Sequence, residues 1–177
     1  MARFIVGELY STEKSFHRFL IFIRKNYMEP MKAATLTKNP LVKTNDVQLL
    51  FCHLPELIAV SEKILVRLEQ YAKQGHELPH KVSPSIAVGQ IFTDLEEDFV
   101  IFLKYAIHYQ SYMKAIRRAS TSSFVMKIDT ESKRVANAGI HHRLGLADYL
   151  IAPFQRVPRY ELLLKGNVFL LRGRNRH

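Results

Sequence analysis

Two histidines bracket a glutamate in His76-Glu-Leu-Pro-His80, a string that fits the H-E-x-x-H zinc-protease pattern letter for letter. That chemistry needs a continuous helix, which puts both imidazoles on one face around a metal ion. Gly75 before the string and Pro79 inside it oppose a helix, so the segment reads as a polar loop. His141 and His142 are adjacent and point in different directions, which reads as a solvated pair rather than a ligand pair. The single Cys52 lies among Leu50, Phe51 and Leu54 and is expected to be a buried structural thiol. It forms no internal disulfide, which suits a reducing compartment. No glycine-rich phosphate loop and no nucleophile motif is found. Covalent catalysis has no constellation to work with, and no metal or cofactor is expected.

The chemistry that remains is polar recognition. Tyr149-Leu-Ile-Ala-Pro-Phe-Gln-Arg-Val-Pro-Arg-Tyr-Glu-Leu-Leu-Leu-Lys165 is an apolar helical segment carrying Gln155, Arg156 and Arg159. Gln155 and Arg159 are four apart and share one helix face. Leu150, Ile151, Phe154, Val157, Leu162 and Leu163 recur at helical spacing and are expected to supply the buried side. Pro153 and Pro158 each remove a backbone donor and bend or interrupt the helix. A bent apolar helix holding out a Gln/Arg face suits a protein partner.

The elements that must position this segment read as helices throughout. Ile5, Leu9, Phe16, Phe19, Leu20, Ile23 and Tyr27 recur mostly every three or four residues, with Pro30 expected to end that first helix. Thr35 to Lys43 is a polar linker containing the turn signal Asn39-Pro40. Asn45 or Asp46 is placed to cap a second helix running to about Ala72, with Pro55 producing a kink or break. Gln74 to Lys81 is polar. Ser83-Pro84 opens a long helix with Ile91, Phe92, Phe99, Phe102, Tyr105, Tyr109 and Tyr112, expected to end before Ser120. That aromatic series reads as core packing before any cofactor pocket. Phe124 to Ile128 reads as a short helix, and Glu131 to Arg143 as a helix end and loop. No period-two strand pattern and no internal repeat appears. The expectation is an all-α elongated bundle of long antiparallel helices.

Composition narrows the classes further. The 177 residues fit one domain with a sizeable core. No apolar run approaches the roughly 20 residues that span a bilayer, and the N-terminal apolar stretch is too short for a signal peptide. These features lead to the expectation of a soluble cytoplasmic protein. The net charge of +10 invites a nucleic-acid or anionic-membrane reading. Basic residues are scattered among acidic ones, and no zinc-finger spacing or helix-turn-helix pattern is found, which argues against nucleic acid. Peripheral membrane contact through basic residues stays open.

The Tyr149–Lys165 segment resembles, at nearly every position, the third signature block of the Dbl-homology domain. This domain is the catalytic module of Rho-family guanine-nucleotide exchange factors. Val6-Gly-Glu-Leu-Tyr-Ser-Thr-Glu-Lys-Ser-Phe16 is similar to the first block, a Glu-Leu-x-x-Thr-Glu-x-x-Tyr/Phe pattern. Leu50-Phe-Cys-His-Leu-Pro-Glu-Leu-Ile58 and Val88-Gly-Gln-Ile-Phe92 match in order between them. The resemblance implies a protein that makes and breaks no covalent bonds, so not an enzyme in that sense. It implies binding to the switch regions of a Rho-family small GTPase, of Rho, Rac or Cdc42 type. It places Glu8 at switch I, and Gln155 and Arg159 at the switch regions. Arg156 is implied to be an intradomain ion-pair residue. In the family a long final helix with a switch-contacting Asn follows the third block. Here the match is read to stop at Lys165, so residues 1–165 are expected to form the helical domain and 166–177 a basic, mobile, non-family tail. The final helix would then be missing or incomplete. Reduced exchange activity, or a non-catalytic GTPase-binding, interfering or scaffold module, are the functional expectations that follow.

Overall fold

The computed structural model describes the backbone of residues 2–74, 84–135 and 145–174, and side chains within 6–70, 88–133 and 145–165. All of the regular structure among the described residues is helical. In chain order the helices are α1 Ala2–Ile23, a π-helical turn Arg24–Met28, α2 Glu29–Thr35, α3 Thr44–Phe51 and α4 Leu54–Gln74. There follow α5 Pro84–Asp94, α6 Glu96–Ser120, α7 Ser123–Val135, α8 Leu146–Leu150 and α9 Ala152–Arg174.

The first helix does not end at Pro30. Helical backbone runs from Ala2 to Thr35, because the π turn precedes the proline and Pro30 falls in the first turn of α2. There the N–H that proline lacks is one the new helix has little use for. The Glu29 N–H reaches back to the Arg24 carbonyl, and the Asn26 side chain donates to the Phe22 carbonyl at 3.0 Å. Leu9, Phe16, Leu20, Ile23, Tyr27 and Met31 form one buried stripe along this rod. It packs chiefly on α4, whose Leu57, Ile64 and Leu68 are fully buried.

Pro55 marks a break rather than a bend: α3 stops at Phe51 and α4 begins at Leu54. Cys52 sits on the turn between them and is exposed, contrary to expectation. The turn points outward although its apolar neighbours Leu50, Phe51 and Leu54 are buried. Asn45 and Asp46 do not cap α3; its N-cap position is Lys43, with no side-chain cap. Asp46 instead lies inside the first turn, buried, and accepts two hydrogen bonds from Arg118, from Nε at 3.0 Å and Nη2 at 2.5 Å. That fork ties α3 to the last turn of α6 and lowers the Asp46 pKa.

The long helix expected after Ser83 is interrupted at Leu95, whose φ of −106° and ψ of 14° separate α5 from α6. Phe102, Tyr105 and Tyr112 of α6 are buried, as expected of core aromatics. The short helix expected at Phe124 is α7 and runs on to Val135. Tyr27 donates to Asp129 Oδ1 of α7 at 2.7 Å, and the Leu146 N–H meets the same oxygen at 3.3 Å, joining the π turn, α7 and α8. Tyr149 of α8 closes this end of the core against Phe19, Phe22 and Tyr27, with ring centroids 4.7, 5.0 and 5.6 Å away.

The third-block segment divides at Ile151 into α8 and α9. Pro153 opens α9 and Pro158 lies inside it, while the backbone stays helical to Arg174. The His76–His80 string and the His141–His142 pair lie outside the described residues, as do the side chains of 166–177. Among the described residues no helix is long and apolar enough to cross a membrane, and no cluster of three or more potential metal ligands forms.

Candidate functional site: the groove between α1 and α9

The buried side expected of this segment holds only in part: Leu150 is buried and Leu163 packs against the core. Pro153, Arg156 and Tyr160 face the core, whereas Phe154, Val157 and Leu162 are exposed, Leu162 at 71 %. A charge turns inward here because a partner waits for it. Glu13, on the stripe between Leu9 and Phe16, is completely buried. Its Oε2 accepts from Arg156 Nη2 at 2.6 Å, Arg156 Nε at 3.2 Å and the Tyr160 hydroxyl at 2.7 Å. Its Oε1 accepts from Ser61 Oγ of α4 at 2.5 Å. Arg156 Nη2 also donates to Thr12 Oγ1 at 3.3 Å. The guanidinium lies over the rings of Tyr160 and Phe16, at 4.5 and 5.4 Å from their centroids. Both carboxylate oxygens are thus hydrogen-bonded and the charge is paired, as a buried charge requires. Burial pushes the Tyr160 hydroxyl well above its usual range, and the Glu13 carboxylate adds to this, so the hydroxyl stays a donor.

This network sets the orientation of the neighbouring row. Adjacent helix positions are about 100° apart, so seating Arg156 and Tyr160 in the core turns Gln155 and Arg159 to the rim. Both are exposed. They line an open groove whose other wall is α1, through Ser11, Thr12, Ser15, Phe16 and Phe19. Ala152 and Arg156 form part of its α9 side. The small hydroxyls on α1 are turned into their own helix: Ser11 donates to the Glu8 carbonyl, Thr12 to Leu9 and Ser15 to Ser11, at 3.1, 3.1 and 2.9 Å. The α1 hydroxyl protons are therefore committed, and the amide and guanidinium donors of the groove come from α9.

The structure brings Gln155 and Arg159 together, as their spacing requires. Glu8 is exposed one turn before Ser11 on α1, outside the lining of the groove. Arg156 is the intradomain ion-pair residue it was expected to be. Glu13 and Tyr160 fall within the first and third blocks but, like Ser61, are not singled out as site residues. The signal was present: Glu13 occupies position i+4 from Leu9 on an apolar stripe, and no wet face is available to it there.

The RhoGEF domain family matches residues 5–168 of this chain. Among curated relatives, the Rac guanine nucleotide exchange factor JJ of Dictyostelium discoideum is 29% identical over 161 residues, covering 90% of this chain and 12% of the relative. Protein vav-1 of Caenorhabditis elegans is 26% identical over 171 residues, with 90% and 16% covered. The human Rho guanine nucleotide exchange factor TIAM2 is 27% identical over 175 residues, with 95% and 10% covered. The chain thus spans a small part of these relatives. A solved structure of the Vav1 exchange factor, concerned with its PH and C1 domains, superposes with a TM-score of 0.72 at 22% identity, covering 94% of this chain and 41% of that one. An autoinhibited Dbl homology domain superposes at 0.67 and 21% identity, covering 93% of this chain and 71% of that one. The fold is shared, the matched span holds both walls of the groove, and the chain belongs to the RhoGEF (Dbl-homology) domain family.

Proposed function

We propose that this chain acts in guanine-nucleotide exchange on a Rho-family small GTPase, of Rho, Rac or Cdc42 type, by holding its switch regions in the nucleotide-free arrangement. One observation carries the reading: within a RhoGEF-family span, the only charged or amide side chains lining the α1–α9 groove that are exposed and outside the core network are Gln155 and Arg159, among the described residues. They would engage the switch regions, and Glu8, farther along α1, would meet switch I. No bond is made or broken. The exchange factor and the nucleotide are negatively coupled ligands of one GTPase, and the coupling is reciprocal. A surface that fits the nucleotide-free conformer best drives GDP out, and GTP later displaces the surface.

Release of fluorescent GDP from a panel of Rho, Rac and Cdc42 proteins, run beside binding to the nucleotide-free forms, tests the reading. Accelerated release from at least one member supports it. Binding without acceleration would make the chain a docking module, and neither effect on any member would sink the proposal.

A further inference from the structure

The α2–α3 connection carries a combination of residues that the groove does not use. Leu36 and Leu41 are exposed at 88 % and 57 %, although both are large and apolar. The segment holds a defined shape: Thr37 Oγ1 lies 3.0 Å from the Ala34 carbonyl and 3.1 Å from the Asn39 carbonyl, and Val42 is anchored in the core. The leucines therefore project because the turn is built that way.

Along this connection the charge is of one sign, and the exposed Glu29 before it is paired with Arg24 at 3.7 Å. From Pro30 to Asn45 there is no acidic residue, while Lys32, Lys38 and Lys43 are all exposed. The next acid, Asp46, is buried and taken by Arg118, with Lys43 close enough to lower its pKa further. Arg117 stands exposed beside that fork. At the far end of α6, Asp94 and Asp98 are paired with Arg67 and Lys63, and Glu96 and Glu97 complete the acids at the α5–α6 junction. The 25 residues of α6 hold the two ends about 37 Å apart. The basic α2–α3 tip thus also carries Leu36 and Leu41, two of the exposed large apolar side chains.

We propose that this tip is a peripheral docking surface for an anionic lipid bilayer, with Leu36 and Leu41 entering the headgroup–acyl boundary and Lys32, Lys38 and Lys43 pairing with lipid phosphates. Apolar side chains interleaved with lysine suit an interface that is itself apolar below and anionic above. A nucleic acid would use the lysines and leave the leucines in water. The inference is independent of the exchange reading.

The test is co-sedimentation of the full 177-residue chain with vesicles of phosphatidylcholine alone, or of phosphatidylcholine with phosphatidylserine. Thermal melting serves as the control for folding. The parent is expected to bind the anionic vesicles and not the neutral ones, with affinity falling as salt rises. Lys38→Glu with Lys43→Glu should weaken binding by roughly tenfold or more. Leu36→Ser with Leu41→Ser should weaken it several-fold with melting unchanged. Arg172→Gln with Arg174→Gln and Arg176→Gln should leave most of the binding in place. No binding to anionic vesicles would overturn the proposal. So would loss on the tail substitutions alone, or loss on lysine reversal with none on leucine replacement, which would mark a purely ionic surface.

Discussion

Glu13 and Arg156, 143 positions apart in the chain, form an ion pair with almost no solvent contact, the guanidinium 2.6 Å from the carboxylate. Removing one member leaves the other charged and buried without its partner, which costs about 3–5 kcal/mol. Arg156→Ala and Glu13→Ala are each expected to lower unfolding stability by about that much, measured by urea denaturation. Together they should cost clearly less than the sum of the two, because they act on one interaction. Additive losses would show that the pair is not coupled.

The rim residues should behave in the opposite way. Gln155→Ala, Arg159→Glu and Glu8→Ala alter exposed side chains and should shift stability by no more than about 0.5 kcal/mol. Each is expected to slow GTPase nucleotide release, with Arg159→Glu the most severe, since reversal places an unpaired charge in a desolvated contact. Melting curves and GDP-release rates on the same preparations separate the two effects. A variant that exchanges like the parent removes that residue from the proposed surface.

His53 is expected to make stability depend on pH. His53 Nε2 and His108 Nδ1 are 3.1 Å apart, joining the α3–α4 turn to α6, and His53 Nδ1 is buried with no partner. Burial lowers the His53 pKa below the ordinary 6.5, and the neighbouring His108 and Lys104 push the same way against Glu56. With the folded pKa below the unfolded one, the unfolded chain binds more protons between them. This contribution is whole above about pH 6.5 and is lost as pH falls from there toward the folded value. Urea midpoints taken across that window should fall more for the parent than for His53→Gln. Parallel curves would remove His53 as the cause.

Tyr27→Phe deletes a hydroxyl whose acceptor, Asp129 Oδ1, also holds the Leu146 N–H. A hydrogen bond to a charged acceptor contributes about 1.5–3 kcal/mol. The substitution should destabilise by that order, and amide exchange at the start of α8 should speed up. Unchanged protection there would mean that Asp129 orders α8 without the tyrosine.

The regular part of this architecture is written locally. Leu9, Phe16, Leu20 and Ile23 on α1, and Leu57, Ile64 and Leu68 on α4, announce their helices and buried faces by spacing alone. Spacing fails on α9, where Phe154, Val157 and Leu162 look like the inner face and Arg156 like the outer one. A period reports where apolar residues recur, and it is silent about an acid 143 residues away that makes a buried arginine favourable. Asp46 misleads for the same reason, since its preference for a helix cap is a local property and Arg118 is a distant one. Cys52 is exposed because the break at Pro55 turns it outward, which neighbouring apolar residues do not reveal. Gln155 and Arg159 were legible as a pair because a four-residue step needs no tertiary knowledge. Their common groove with α1 depends on the packing of two helices from opposite ends of the chain.

The π turn at Arg24–Met28 works as a frameshift written in space. It holds one residue more than an α turn would, and one residue is worth about 100° of rotation. Everything after it, including Met31 and Ala34 on the core and the projecting Leu36, takes its heading from that extra residue. Deleting one position from Arg24 to Met28 would let the rod relax to plain α-helix with the upstream groove and the downstream tip both on their present headings, because the π turn had absorbed that residue. Straightening the turn to α-helix with every residue kept would instead swing the tip by about 100° away from α3. The tolerated change here is thus one of length, and the damaging one a change of helix type.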